Sequence, residues 1–161
     1  MIHTIKEFLK TYGQESAITS RVMAALTDAS LAQRVSAEDR TLGEIAWHLA
    51  TSVPEMANHT GLEVPGAADA AVPASAAAIR EAYGQAAAGL LEQVGGRWTD
   101  ETLAVKDDMY GEMWRRSFTL TVLIVHEIHH RGQMSVLMRQ AGLAVPEIYG
   151  PNREQTEAMR G

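Results

Sequence analysis

No cysteine occurs anywhere in the 161 residues. That absence excludes disulfides, zinc–thiolate sites and a protein thiol acting as nucleophile, and it accords with a reducing, cytoplasmic setting. Long apolar runs are also missing, since no window approaches the roughly 18 uninterrupted apolar residues of a membrane-spanning helix. Met1 to Tyr12 alternates charged and apolar residues and lacks the apolar stretch of a signal peptide. No membrane partner is therefore expected. Basic clusters are absent too: 14 Lys and Arg against 20 Asp and Glu leave a formal charge of −6. Such a chain is poorly suited to gripping nucleic acid phosphates, and no nucleic-acid partner is expected.

What is present points to helices. Aromatic residues are few at 6%, whereas 46% of the chain is hydrophobic, with much alanine, leucine and methionine. That balance favours helix over strand and is ample for one core spanning residues 1–161. Ile5, Leu9, Tyr12, Ile18, Val22, Met23 and Leu26 mark one helical face between about Ile2 and Asp28, with Gly13 as a candidate bend or break. Residues Leu31 to Arg40 are polar and irregular. Thr41-Leu42-Gly43-Glu44 reads as a capping box opening a second helix that runs to about Asn58, with Pro54 a candidate kink.

The stretch 61–74, rich in Gly, Pro and Ala, reads as a loop long enough to cross a bundle end. Ser75 then caps a third helix, Ala76 to Val94, ended by Gly95-Gly96. The segment 97–111 reads as a long connection with an extended stretch. A fourth helix from about Met113 to Ala141, stopped by Gly142, is apolar on most sides between Phe118 and Ile128 and is expected in the middle of the core. A short helix after Pro151 completes the pattern. The expected fold is all-α, a four-helix bundle with a long crossover connection.

Within the fourth helix lies His126-Glu127-Ile128-His129-His130. Residues four apart on a helix sit about 40° apart around its axis, so His126 and His130 point the same way, on a stripe with Val122, Leu123, Met134 and Leu137. Two buried imidazoles either share a cation or each find a neighbouring hydrogen-bond partner. His129 lies about 100° from His130, beside Phe118, Val125 and Val136, where packing or a hydrogen bond is its expected role. A metal asks for further ligands, and His48 on the second helix is the best supplier. Its line along that helix, Glu44, Ser52, Glu55 and His59, is polar and either faces water or floors a hydrated cavity.

Thr41-Leu42-Gly43-Glu44-Ile45-Ala46-Trp47-His48-Leu49-Ala50, followed by His126-x-x-x-His130-Arg131-Gly132-Gln133-Met134, resembles the DinB-like family over most of the chain. That family is distinct from the lesion-bypass polymerase sharing its name. The resemblance implies a four-helix bundle, often dimeric, with one nickel or zinc ion held by His48, His126 and His130. It also implies a transferase or isomerase working with a low-molecular-weight thiol such as bacillithiol or mycothiol. The alternatives are a hydrolase using a metal-bound hydroxide and a non-catalytic metal-binding stress-response protein. Gln133 on the ligand face, Glu44 and His129 are the candidate supporting or substrate residues, while Glu127 and Arg131 point partly away.

Overall fold

The computed structural model describes residues 1–66 and 71–161. Four long helices dominate it: α1 (Ile5–Ala24), α2 (Leu42–Asn58), α3 (Ala76–Arg97) and α4 (Arg116–Gln140). Local chemistry fixes where three of them start. Thr4 Oγ1 accepts from Glu7 N at 3.0 Å at the head of α1, and Ser75 Oγ accepts from Ala78 N at 3.4 Å at the head of α3. At α2 the box is reciprocal: Thr41 Oγ1 accepts from Glu44 N at 3.1 Å, and Glu44 Oε2 accepts from Thr41 N at 2.6 Å. Each cap stabilises its helix by about 1 kcal/mol.

Two sequence punctuation marks do not act as expected. α1 passes through Gly13 without a break, because Tyr12 and Ser16 on either side are buried in the core and their packing outweighs the glycine cost of about 1 kcal/mol. α3 likewise runs through Gly95-Gly96 to Arg97, held by the buried Val94 and Trp98 around its last turn. Pro54 stays inside α2 as a buried residue.

α1 packs on α3 and α4, and α2 packs on the same two helices, so α1 lies diagonally across from α2, and α3 from α4. The crossovers are therefore the connections 25–41 and 98–115. The segment 61–74, expected to cross the bundle, joins the neighbours α2 and α3, and its residues 67–70 lie outside the described residues. A Cβ at Gly89 would run into the Pro65 ring, so glycine lets the chain at Pro65 lie close on α3.

The second crossover contains a hairpin, β1 (Lys106–Met109) paired antiparallel with β2 (Glu112–Arg115), and α4 consequently begins at Arg116 rather than near Met113. Tyr110 and Gly111 both have positive φ, 60° and 86°, the signature of a two-residue hairpin turn. Arg116 clamps the hairpin to the bundle. Its guanidinium makes paired bonds to Asp107 at 2.9 and 3.1 Å, donates to the Thr60 carbonyl at 3.0 Å and stacks over Trp98.

α4 is not central on every side. Leu120, Leu123, Met134 and Leu137 enter the core, but Phe118, Val125 and Val136 are 41%, 58% and 56% exposed along one outer stripe. The reason is the four-helix arrangement itself: among the described residues the long helices that pack on α4 are α1 and α2, and this stripe lies away from both. A short helix, α5 (Arg153–Ala158), follows an Asn152 cap and is tied to α4 by Arg139–Glu154 bonds of 2.6 and 2.9 Å.

Candidate metal centre

His48 sits in the second turn of α2, whose neighbours Ile45, Ala46 and Leu49 are buried. This seats the helix against α4 and turns the half-buried imidazole toward it. His126 and His130 meet it from α4. The His126 Nε2 lies 3.1 Å from Nε2 of His48 and 3.1 Å from Nε2 of His130. All three ligand atoms fall within 4.8 Å of one another, with the rings edge-on at centroid distances of 4.4–4.9 Å.

The second nitrogen of His130 sets its tautomer. Nδ1 lies 2.7 Å from Gln133 Oε1 and donates to it, which leaves Nε2 with a free lone pair. His126 Nε2 carries either one hydrogen or one lone pair, so it cannot satisfy both neighbours by hydrogen bonding, and one of the two contacts stays unmet without a cation. Metal–imidazole bonds of about 2.0–2.1 Å, meeting at angles from a right angle to the tetrahedral value, place their nitrogens about 2.9–3.4 Å apart. The two edges at His126, both 3.1 Å, fit that range, and the third pair lies within 4.8 Å. The donor set therefore suits a divalent cation.

The electrostatics agree. Burial holds all three imidazoles below the ordinary histidine range, and neighbouring charge lowers them further. The largest effect is at His126, brought to about 4 by burial and then by His130 and His48. All three rings are neutral at pH 7 and present lone pairs rather than protons.

The other expected residues divide. Gln133 stands beside His130. His129 is exposed on the outer side of α4, its ring 4.9 Å from that of His130 and outside the triad. The Glu44 carboxylate is exposed and engaged in the cap at Thr41. His59 is also exposed, paired with Glu55 at 3.4 Å.

Glu127 and Arg131 do point away from the triad, into a buried polar layer between α1, α3 and α4. Glu127 Oε1 accepts from Thr19 and from Tyr83, both at 2.6 Å. Arg131, 1% exposed, donates to Thr19 at 2.9 Å and to the Glu15 carbonyl at 3.0 Å, and also reaches the Glu15 carboxylate and the Tyr149 hydroxyl. Burial pushes the Glu127 carboxyl up. The four-residue spacing of Glu127 and Arg131 is the only local signal of this layer, because Glu15 and Thr19 lie more than 100 residues away.

A cavity of about 630 Å³ opens beside the triad, between the 33–41 segment, the first turn of α2 and the second half of α4. His130 and Gln133 form its inner end, Ile45, Val136 and Leu137 its apolar wall, and Asp39 and Arg40 part of its rim. Of the three imidazoles, His130 lines this cavity, which therefore adjoins the centre at that ring.

Fold and site together define a histidine-triad helical bundle, with an open centre that can hold one metal ion between two neighbouring helices. The sequence model of the DinB family matches residues 1–160, and the chain belongs to that family. It is 40% identical over 156 residues to the uncharacterized protein YrdA of Bacillus subtilis (strain 168), covering 96% of this chain and 93% of that protein. The crystal structure of a DinB-like protein from Bacillus cereus ATCC 10987 superposes with a TM-score of 0.89 at 40% identity, covering 92% of this chain and 100% of that one. The DinB-like protein YjoA of Bacillus subtilis shares the fold at a TM-score of 0.70 and 17% identity, over 88% of this chain and 97% of that one. Among the described residues no helix is long and apolar enough to cross a membrane.

Proposed function

We propose that the protein is a metal-dependent transferase or isomerase acting with a low-molecular-weight thiol of the bacillithiol or mycothiol type, in a cytoplasmic setting that keeps such thiols reduced. The carrying observation is the triad beside a cavity: three neutral imidazoles converge from α2 and α4, and one of them, His130, lines the adjoining cavity. A divalent ion held there, nickel or zinc, would supply a Lewis acid that lowers a thiol's pKa and keeps it as thiolate.

The chain's own residues do the rest. His48, His126 and His130 supply lone pairs without competing protons, and Gln133 holds the His130 ring in the required tautomer. The buried Ile45 and Leu137 give the cavity beside His130 an apolar wall. With no cysteine in the chain, the thiol is a cosubstrate rather than a protein group.

The test is elemental analysis of wild type beside His48→Ala, His126→Ala, His130→Ala and His129→Ala, followed by thiol titration of the cobalt-loaded wild type. Stoichiometric metal in wild type and His129→Ala only, and a thiolate-to-cobalt charge-transfer band, are expected. Metal retained in all of the variants overturns the site. Metal-dependent ester hydrolysis with no thiol band moves the reading to a hydrolase, and the absence of any exchangeable ligand moves it to a non-catalytic metal-binding protein.

We also propose a homodimer closed through α4. Phe118, Val125 and Val136 recur at spacings of 7 and 11, which keeps them within about 20° of one line along the helix. Gly132, about 40° from that line, adds no side chain, so a second copy can approach closely across a two-fold axis.

A further inference from the structure

The cavity beside the triad has one charged group that the fold does not use. Arg40 lies on its rim, immediately before the α2 cap, and its exposed guanidinium makes no hydrogen bond or ion pair among the described residues. Other arginines described above have structural partners: Arg116 holds Asp107, Arg131 holds Glu15 and Arg139 holds Glu154. Its position is also close enough to the centre to matter, since its positive charge is felt at His48, His126 and His130 alike. On a chain carrying a formal charge of −6, a lone cation at the mouth of an apolar cleft makes a local attractor for anions.

We propose that Arg40 is the recognition group for a carboxylate on the small molecule this cavity admits, with the opposite end of that molecule directed at the histidines. The proposal rests on reading the cavity as the substrate site.

A carboxylate is the anion these surroundings select. A guanidinium presents paired N–H donors that match a carboxylate's two oxygens. A phosphate dianion would ask for more donors, and two backbone donors of the adjoining cap are occupied. The Thr41 N–H is bound by Glu44 Oε2, and the Glu44 N–H by Thr41 Oγ1. Asp39 on the same rim, its Oδ2 accepting from Ser36 Oγ at 2.7 Å, repels a second negative charge. Between the rim and the triad the wall is Ile45, Val136 and Leu137, which suits a short apolar or weakly polar spacer.

The experiment compares 3-mercaptopropionate, 2-mercaptoethanol and cysteamine as ligands of the cobalt-loaded protein, read by the charge-transfer band, in wild type, Arg40→Gln and Arg40→Lys. Butyrate titrated calorimetrically into the same three proteins reads the arginine contact without any thiol. The mercaptocarboxylate is expected to bind wild type about tenfold more tightly than the neutral thiol, and cysteamine more weakly than either. Arg40→Gln abolishes that preference and weakens butyrate binding, while Arg40→Lys keeps part of both. Equal binding of the three thiols in wild type, or a preference and butyrate affinity untouched by Arg40→Gln, overturns the role of Arg40 while leaving thiolate binding intact. If no thiol gives a band, the thiol reading fails, and the butyrate series alone decides the arginine contact.

Discussion

Gln133 Oε1 and His130 Nδ1 lie 2.7 Å apart, one helical turn from each other on α4, and this contact decides which His130 nitrogen faces the triad. Gln133→Leu removes the acceptor and lets the imidazole rotate or change tautomer. Metal affinity should fall about tenfold or more, as is usual for the loss of a partner behind a ligand. Gln133→Glu should retain or raise it. Competition with a chromophoric chelator measures both, and an unchanged affinity in Gln133→Leu would falsify the orienting role.

The depressed imidazoles make the metal-free protein sensitive to acid. Burial, with neighbouring charge, lowers all three, and His126 reaches about 4, whereas an unfolded histidine titrates near ~6.5. Between those values the unfolded chain binds more protons than the folded one. The stability the neutral histidines contribute is present above about pH 6.5 and is lost as pH falls toward the folded value. Thermal melts of the metal-free protein should show Tm declining from about pH 6.5 downward, with a shallower decline in His126→Gln. A Tm that rises on acidification across this window contradicts the assignment.

Arg131 is the counter-charge of a layer that also contains Glu15 and Glu127. Arg131→Ala leaves two enclosed carboxylates uncompensated and should destabilise the fold by about 3–5 kcal/mol in urea unfolding. Tyr149→Phe, which removes only one hydroxyl at the edge of the same layer, should lose far less. A loss below about 1 kcal/mol for Arg131→Ala would show that the layer relaxes or hydrates freely.

The α4 stripe predicts an oligomeric state. Wild type should sediment as a dimer, and Val125→Glu, at the centre of the stripe, as a folded monomer with an unchanged far-ultraviolet spectrum. A monomeric wild type at tens of micromolar rules out the proposed interface.

Much of the helical framework and the centre was legible in the sequence, because both rest on short-range patterns. Thr41 and Glu44 announce the start of α2, and the four-residue spacing of His126 and His130 puts both rings on one face without knowledge of the fold. Spacing alone left His48 undecided, since the line it shares with Ser52 and Glu55 reads equally as a solvent face. What was hidden depends on tertiary context. Gly13, Gly95 and Gly96 carry the local signature of breaks, and only packing on Tyr12, Val94 and Trp98 overrides it. The extended stretch expected within 97–111 is the first strand of a hairpin, while its short, charged second strand reads as the start of α4, although Tyr110-Gly111 before Glu112 is a usable turn signal. The partners of Glu127 and Arg131, and the cavity that Arg40 and His130 both line, come from segments brought together across long sequence separations.

Three consecutive residues of α4 report to three different environments: Val125 to the outer stripe, His126 to the triad and Glu127 to the buried polar layer. A one-residue insertion upstream would turn everything beyond it by about 100° and misassign all three at once. α4 therefore tolerates substitution far better than a change of length, whereas the connection between α2 and α3 carries none of the three. Length variation among related chains should accumulate in that connection and be purged from the helix, so the spacing of Val125, His126 and Glu127 behaves as a single inherited unit.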